Sequence, residues 1–186
     1  GDATRQPDPP VYRSGVLCLD AVEVSTTGGH YVAIGLGPSP YPLGGEPDDV
    51  VEDVRRMGGF GIAAHPDSPK DALRWHEWSA RIDGLEVVNP DTSWRIHALQ
   101  GGWRATLRLF RALGTYPVRP SETIGALLTD SALARSEWDI LGRDRRVVGI
   151  AGVDAHAKLA LRDVDPGDNR YSLPFPGYEA VFRTLS

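Results

Sequence analysis

Cysteine is nearly missing from this 186-residue chain, and Cys18 alone excludes an internal disulfide framework or a cysteine-cluster zinc site. Set between Leu17 and Leu19, its thiol reads as an inert core group rather than a nucleophile. Long apolar runs are also missing. No stretch approaches the roughly 20 residues that cross a bilayer, and residues 1–5 lack the charged-then-apolar pattern of a signal sequence. These absences predict a soluble, cytoplasmic protein with no membrane partner. A basic excess is absent as well: 20 Lys+Arg face 25 Asp+Glu, and a net charge of −5 offers no broad positive field for nucleic acid. Gly35-Leu36-Gly37 is followed by no third glycine opening a helix, there is no Gly-Lys-Ser or Gly-Lys-Thr loop, and Ser25 and Ser68 lack a Gly-x-Ser-x-Gly elbow. Dinucleotide, Walker-type and serine-hydrolase readings therefore fail.

What is present is an ordinary globular composition, 41% hydrophobic, without internal repeats, and the length suits a single domain over residues 1–186. Apolar segments bounded by Gly, Pro or Asp predict strands at 15–24, 31–35, 60–64, 84–88 and 147–151, the first broken near Asp20. Most are continuously apolar, as strands covered on both faces are. Residues 47–57 have apolar positions at helical spacing, acids early, arginines late and Gly58-Gly59 at the end, which predicts a helix. Further helices are expected at 71–79, 103–113, 124–128 and 136–141, the second with Leu107, Leu109, Phe110 and Leu113 as its apolar side. Alternating strand and helix favours an α/β fold with parallel strands. Residues 163–178, rich in Pro, Gly and Asp, read as a long surface loop or lid.

Candidate chemistry gathers where predicted strands end, the place where α/β folds keep their sites. The strand at 60–64 runs into His65, and that at 147–151 runs toward Asp154 and His156, whose two-residue spacing puts both side chains on one face of an extended segment. Glu23, flanked by Val22 and Val24, is a carboxylate that needs a partner if buried, and a cation is one answer. His30 follows Gly28-Gly29 and opens the next strand, as a residue delivered by a turn would. Nitrogen and oxygen donors converging in this way suit a divalent metal. His76 and His97 read as surface or packing residues, and the tryptophans, Trp75, Trp78, Trp94 and Trp103 among them, as core or site-wall packing rather than a stacking surface.

Several segments together resemble the PHP (polymerase and histidinol phosphatase) metal-dependent hydrolases. The segment 22–26 is similar to that family's glutamate-bearing strand, 29–36 to the segment after it, and Ala64-His65-Pro66 to its Ala-His-Pro motif. Asp83-Gly84-Leu85-Glu86-Val87-Val88-Asn89 resembles its Asp-Gly-x-Glu-Val-x-Asn strand, and Gly152-Val153-Asp154-Ala155-His156 its Gly-x-Asp-Ala-His ending. The resemblance implies a distorted seven-stranded, TIM-like (β/α) barrel with manganese, zinc or iron bound at the strand ends. It implies Glu23, His65, Asp154 and His156 as metal ligands and catalytic residues, His30 as a ligand or substrate contact, and Asn89 as a substrate contact. The implied activity is hydrolysis of a small-molecule phosphoester by metal-activated water. The segment around Gly29-His30 also resembles a carbaryl-hydrolase-like branch, so a carbamate or ester is the alternative substrate. The family's His-x-His strand and Asp-His pair do not precede Glu23, since residues 1–22 contain no histidine. A family member lacking its first strands is therefore expected. On its own such a chain would have a partial barrel and weak or no activity, or would serve as a metal-binding or interaction fragment.

Overall fold

The computed structural model describes residues 2–100, 102–154, 159–160 and 172–173. The described residues divide into two compact units, one drawn from 1–88 and 130–152 and the other from 89–129 and 153–186.

The first unit is built on a five-stranded mixed sheet. Its strands are β3 (Ala21–Thr26), β4 (Gly29–Ile34), β5 (Phe60–Ala63), β6 (Gly84–Val88) and β7 (Val148–Ala151), paired in that order. A separate hairpin, β1 (Val11–Arg13) with β2 (Val16–Cys18), precedes it. The chain does break near Asp20, between β2 and β3.

The barrel expectation is wrong. Only β5–β6 and β6–β7 are parallel, whereas β3–β4 and β4–β5 are antiparallel, and among the described residues the sheet is open. The reason is local. Two residues, Thr27-Gly28, join β3 to β4, and so short a connection closes a hairpin and leaves no room for the crossover that a parallel pair requires.

Exposure along β3 and β4 also departs from strands covered on both faces. In β4, Gly29, Tyr31 and Ala33 are buried while His30, Val32 and Ile34 are half-buried, a period-two pattern with one open face. The closed face packs Val24, Tyr31, Ala33, Ala63 and Leu85 against Val50, Val51 and Val54 and against Trp75. Those valines come from α1 (Pro47–Arg56), which starts on Pro47, places Asp48 and Asp49 in its first turn and Arg55 and Arg56 in its last. It ends where Gly58 turns left-handed at φ +84°, with Gly59 N–H donating to the Val54 carbonyl at 2.9 Å. The helix α5 (Ala132–Leu141) begins with the Ser131 hydroxyl accepting the Ala134 N–H at 2.8 Å, and it buries Ala134. Trp138 of α5 donates from Nε1 to the Val147 carbonyl at 2.8 Å.

The expected helix at 71–79 does not form; the segment is a series of turns. Its backbone instead meets the β3–β4 hairpin: His30 N–H donates to the Leu73 carbonyl and His76 N–H to the Gly28 carbonyl, at 3.1 and 3.0 Å. Trp75 is thereby fully buried. Cys18 is half-buried on the small hairpin between exposed Leu17 and Leu19, so it is not the core thiol expected.

In the second unit, α2 (Pro90–Gln100) corresponds to no predicted helix, α3 (Gly102–Thr115) covers the helix predicted at 103–113, and α4 (Pro120–Gly125) begins earlier than the 124–128 expected. The α2 sequence has little apolar periodicity and is tied by polar contacts. Asp91 receives Arg95 Nε at 2.6 Å and Trp94 Nε1 at 2.9 Å. On α3 the predicted apolar side is not a core face: Leu107, Phe110 and Leu113 are exposed, Trp103 likewise, and Ala105 is the buried residue. Of the expected loop at 163–178, only Ser172–Leu173 (β9) lies within the described residues, and it pairs with Leu159–Ala160 (β8). No described helix is long and apolar enough to cross a membrane.

Candidate metal centre

Three of the predicted donors meet on the open face of the sheet. Glu23 and Ser25 alternate along β3, and the register sets Ser25 opposite His30 on β4, so all three side chains leave the same face. His65 follows the carboxyl end of β5 and reaches the group from the neighbouring strand. One ligand atom from each of Glu23, His30 and His65 lies within 4.8 Å of the other two.

The arrangement centres on one oxygen. Glu23 Oε1 lies 2.7 Å from His30 Nδ1 and 3.1 Å from His65 Nε2, while His30 Nε2 lies 3.2 Å from the Ser25 hydroxyl. A carboxylate can only accept, so His30 donates from Nδ1 and His65 from Nε2. With His30 neutral, its Nε2 is free to accept the Ser25 O–H. The two rings stand edge to face with centroids 5.1 Å apart. Hydrogen bonds first from His30 and then from His65 hold the Glu23 carboxyl far below the ordinary carboxylate range. Burial differs across the group: the His65 side chain is 6% exposed, that of His30 17% and that of Glu23 43%.

Local backbone devices aim these side chains. Gly29 has φ +110°, and a Cβ there would lie 2.6 Å from the Trp75 Cα, so the turn delivering His30 requires glycine on two counts. His65 has φ +30°, a left-handed conformation that costs a non-glycine residue on the order of 1–3 kcal/mol. It is held by a hydrogen bond from its own N–H to Glu86 Oε2 at 2.7 Å and by Ser68 N–H donating to its carbonyl at 2.9 Å. Ala64 N–H meanwhile donates to the His30 carbonyl at 3.0 Å, extending the β4–β5 ladder to the edge of the site.

The remaining predicted residues are placed as follows. Asn89 is buried at the start of α2, where its side-chain oxygen accepts the Thr92 N–H at 3.0 Å as a helix cap. Asp154 is half-buried with φ +41°. Both belong to the second unit. His156 lies outside the described residues. His76 is exposed and His97 half-buried on α2. Ser25 and Glu86 are the residues that the motif reading did not place at the site. Ser25 was legible as the position two after Glu23 on the same strand face, and Glu86 as the one acid in an otherwise apolar strand.

The donors suit a divalent ion of the zinc or manganese type. Two imidazoles and a carboxylate form a mixed N/O set, and ligand atoms about 2.0–2.2 Å from a common ion stand roughly 3–4 Å apart, within the span observed here.

No family model matches the chain, and no solved structure matches it significantly. An uncharacterized protein of Methanocaldococcus jannaschii is 34% identical over 76 residues, 40% of this chain and 44% of that protein. The chain thus matches less than half the length of this curated relative.

Proposed function

We propose that Glu23, His30 and His65 hold a divalent ion in the service of hydrolysis, with a phosphoester as the substrate class. The observation that carries this reading is the convergence of three donor side chains from two strands and a strand end, with His30 and His65 both meeting one oxygen of Glu23. The resemblance of the segments around Glu23, His65 and Asp154 to the PHP hydrolases supports the phosphoester.

A bound divalent ion supplies Lewis-acid activation of water and neutralises charge on the scissile group. The chain's own residues supply the rest. His65, almost fully buried and tied at both sides of its Cα, gives a fixed donor, while the half-exposed Glu23 leaves the site open to solvent and substrate. For His30 to offer Nδ1 as a ligand its proton would sit on Nε2, where the Ser25 hydroxyl, 3.2 Å away, would accept it and fix which nitrogen faces the cluster. In the metal-free arrangement Glu23 accepts from two imidazole N–H groups; to hold an ion, His30 and His65 would each have to offer an unprotonated ring nitrogen instead, so affinity falls as the solution is acidified.

The test is titration with zinc or manganese, followed by hydrolysis of an aryl phosphate and an aryl carbamate with manganese added. Stoichiometric binding by the wild type that drops at least tenfold in Glu23→Gln and His65→Ala supports the metal reading. Binding indifferent to both substitutions refutes it. Turnover of the carbamate without the phosphate moves the substrate class to carbamates and esters.

A further inference from the structure

Glu86 has no place in the donor group, yet it is a carboxylate at only 8% exposure in a strand whose other members are Gly84, Leu85, Val87 and Val88. Burying a carboxylate is costly unless it is hydrogen-bonded, so its surroundings should show what it is for. On one side Oε2 accepts the backbone N–H of His65 at 2.7 Å. On the other, the carboxylate lies against the Cα of Gly152, in the space that a Cβ at 152 would occupy. The side chain thus spans from the carboxyl end of β7 to the carboxyl end of β5, and only glycine at 152 leaves it room.

The contact falls at the strained point of the site. His65 is the donor with the left-handed φ, and the proline after it disfavours helical geometry for the preceding residue, so local sequence alone does not select this conformation. The Glu86 carboxylate fixes the peptide on the amino side of the His65 Cα and Ser68 N–H fixes the carbonyl on the other. With both peptides held, the Cα–Cβ direction is set, and the imidazole is aimed at Glu23 Oε1, 3.1 Å from Nε2.

We propose that Glu86 is a positioning residue: its buried carboxylate clamps the His65 backbone and thereby presents the His65 imidazole to the Glu23 and His30 donors. The consequence for metal binding rests on the reading of that cluster given above; the consequence for His65 itself does not.

The experiment compares wild type, Glu86→Gln, Glu86→Leu and Gly152→Ala by zinc titration and, without metal, by the NMR signals of the His65 amide and imidazole. The Gln carbonyl still accepts the N–H, so zinc affinity stays at the wild-type level. Its amide proton moves upfield as the acceptor loses its charge, while the imidazole signals stay in place. Leu removes the acceptor, and the methyl at 152 pushes the carboxylate aside. Both shift the imidazole signals and weaken zinc binding by about 10- to 100-fold, with the far-ultraviolet circular dichroism unchanged. If the Leu and Ala variants do not fold, Glu86→Gln decides alone: a His65 amide signal that it does not move overturns the proposal. Zinc affinity unchanged in Glu86→Leu also overturns it, as does an equal loss in Glu86→Gln, which would make the carboxylate a ligand. A wild type that binds no zinc, with the His65 signals still responding to Glu86, overturns the metal reading and supports the positioning role.

Discussion

Tyr31 shows how much one side chain can constrain its neighbours. It is fully buried, with no hydrogen-bond partner for its hydroxyl among the described residues, and its ring fills the space above Gly61, where any Cβ would collide with it. Gly61→Ala should therefore overpack the sheet and lower stability by about 1–3 kcal/mol in urea denaturation. Burial, reinforced by the Asp83 carboxylate, raises the Tyr31 hydroxyl above the tyrosine range. Its native pKa exceeds the unfolded one, so its contribution is complete below pH about 10 and is lost as pH rises toward the native value. The urea midpoint should fall more steeply above pH about 10 in wild type than in Tyr31→Phe, and equal slopes would show that Tyr31 does not contribute. At this scale the sequence was readable where chemistry contrasts with its surroundings. Glu23 stood out between valines, and His65 stood out after an apolar run. Glu86 showed the same contrast, but its partner is a backbone N–H, and no side-chain pattern announces that. Cys18 misled because two leucine neighbours imply burial only when the strand faces a core.

Elements were legible in proportion to how far local forces decide them. Pro47, the two early acids, the two late arginines and Gly58 all specify α1, and its valines find the sheet. Val54 is fully buried, so Val54→Ala should cost about 2 kcal/mol, the transfer of two methyl-sized groups plus the cavity left behind. The segment 71–79 has helical composition, yet its hydrogen bonds go to Gly28 and His30, and a distant hairpin overrides local preference there. Conversely, α2 forms from an Asn89 cap and an Asp91 hub that no hydrophobic period reveals. In α3 the spacing identifies an apolar side but not what covers it, and Leu107, Phe110 and Leu113 are exposed. Exposed positions contribute little to folding, so Leu107→Glu combined with Phe110→Glu should leave the melting temperature within about 2–4 °C of wild type. A larger fall would mean that this face is covered.

For the molecule as a whole, the strands of the main sheet are easier to locate from sequence than their directions, while β1, β8 and β9 correspond to no predicted strand. Five apolar segments correspond to the five strands of the sheet, but direction depends on connections, and the two-residue turn after β3 reverses the chain where a barrel needs a crossover. That reversal also decides how the site is assembled. Glu23 and His30 are seven residues apart on one hairpin, whereas Glu23 and His65 are separated by 42 residues. The first pair can form as soon as the hairpin closes; the second exists only when β5 has docked. An ion gripping all three ligands would act as a staple between early, local structure and late, long-range structure, and its affinity would report on the assembly of the sheet. Zinc at a hundredfold excess over its dissociation constant should raise stability by about 2.7 kcal/mol in wild type and by much less in His65→Ala, as read from urea midpoints. The site would then be a lock on the fold as well as a place for chemistry, and chelation should loosen β5 from the hairpin before it disturbs the hairpin itself.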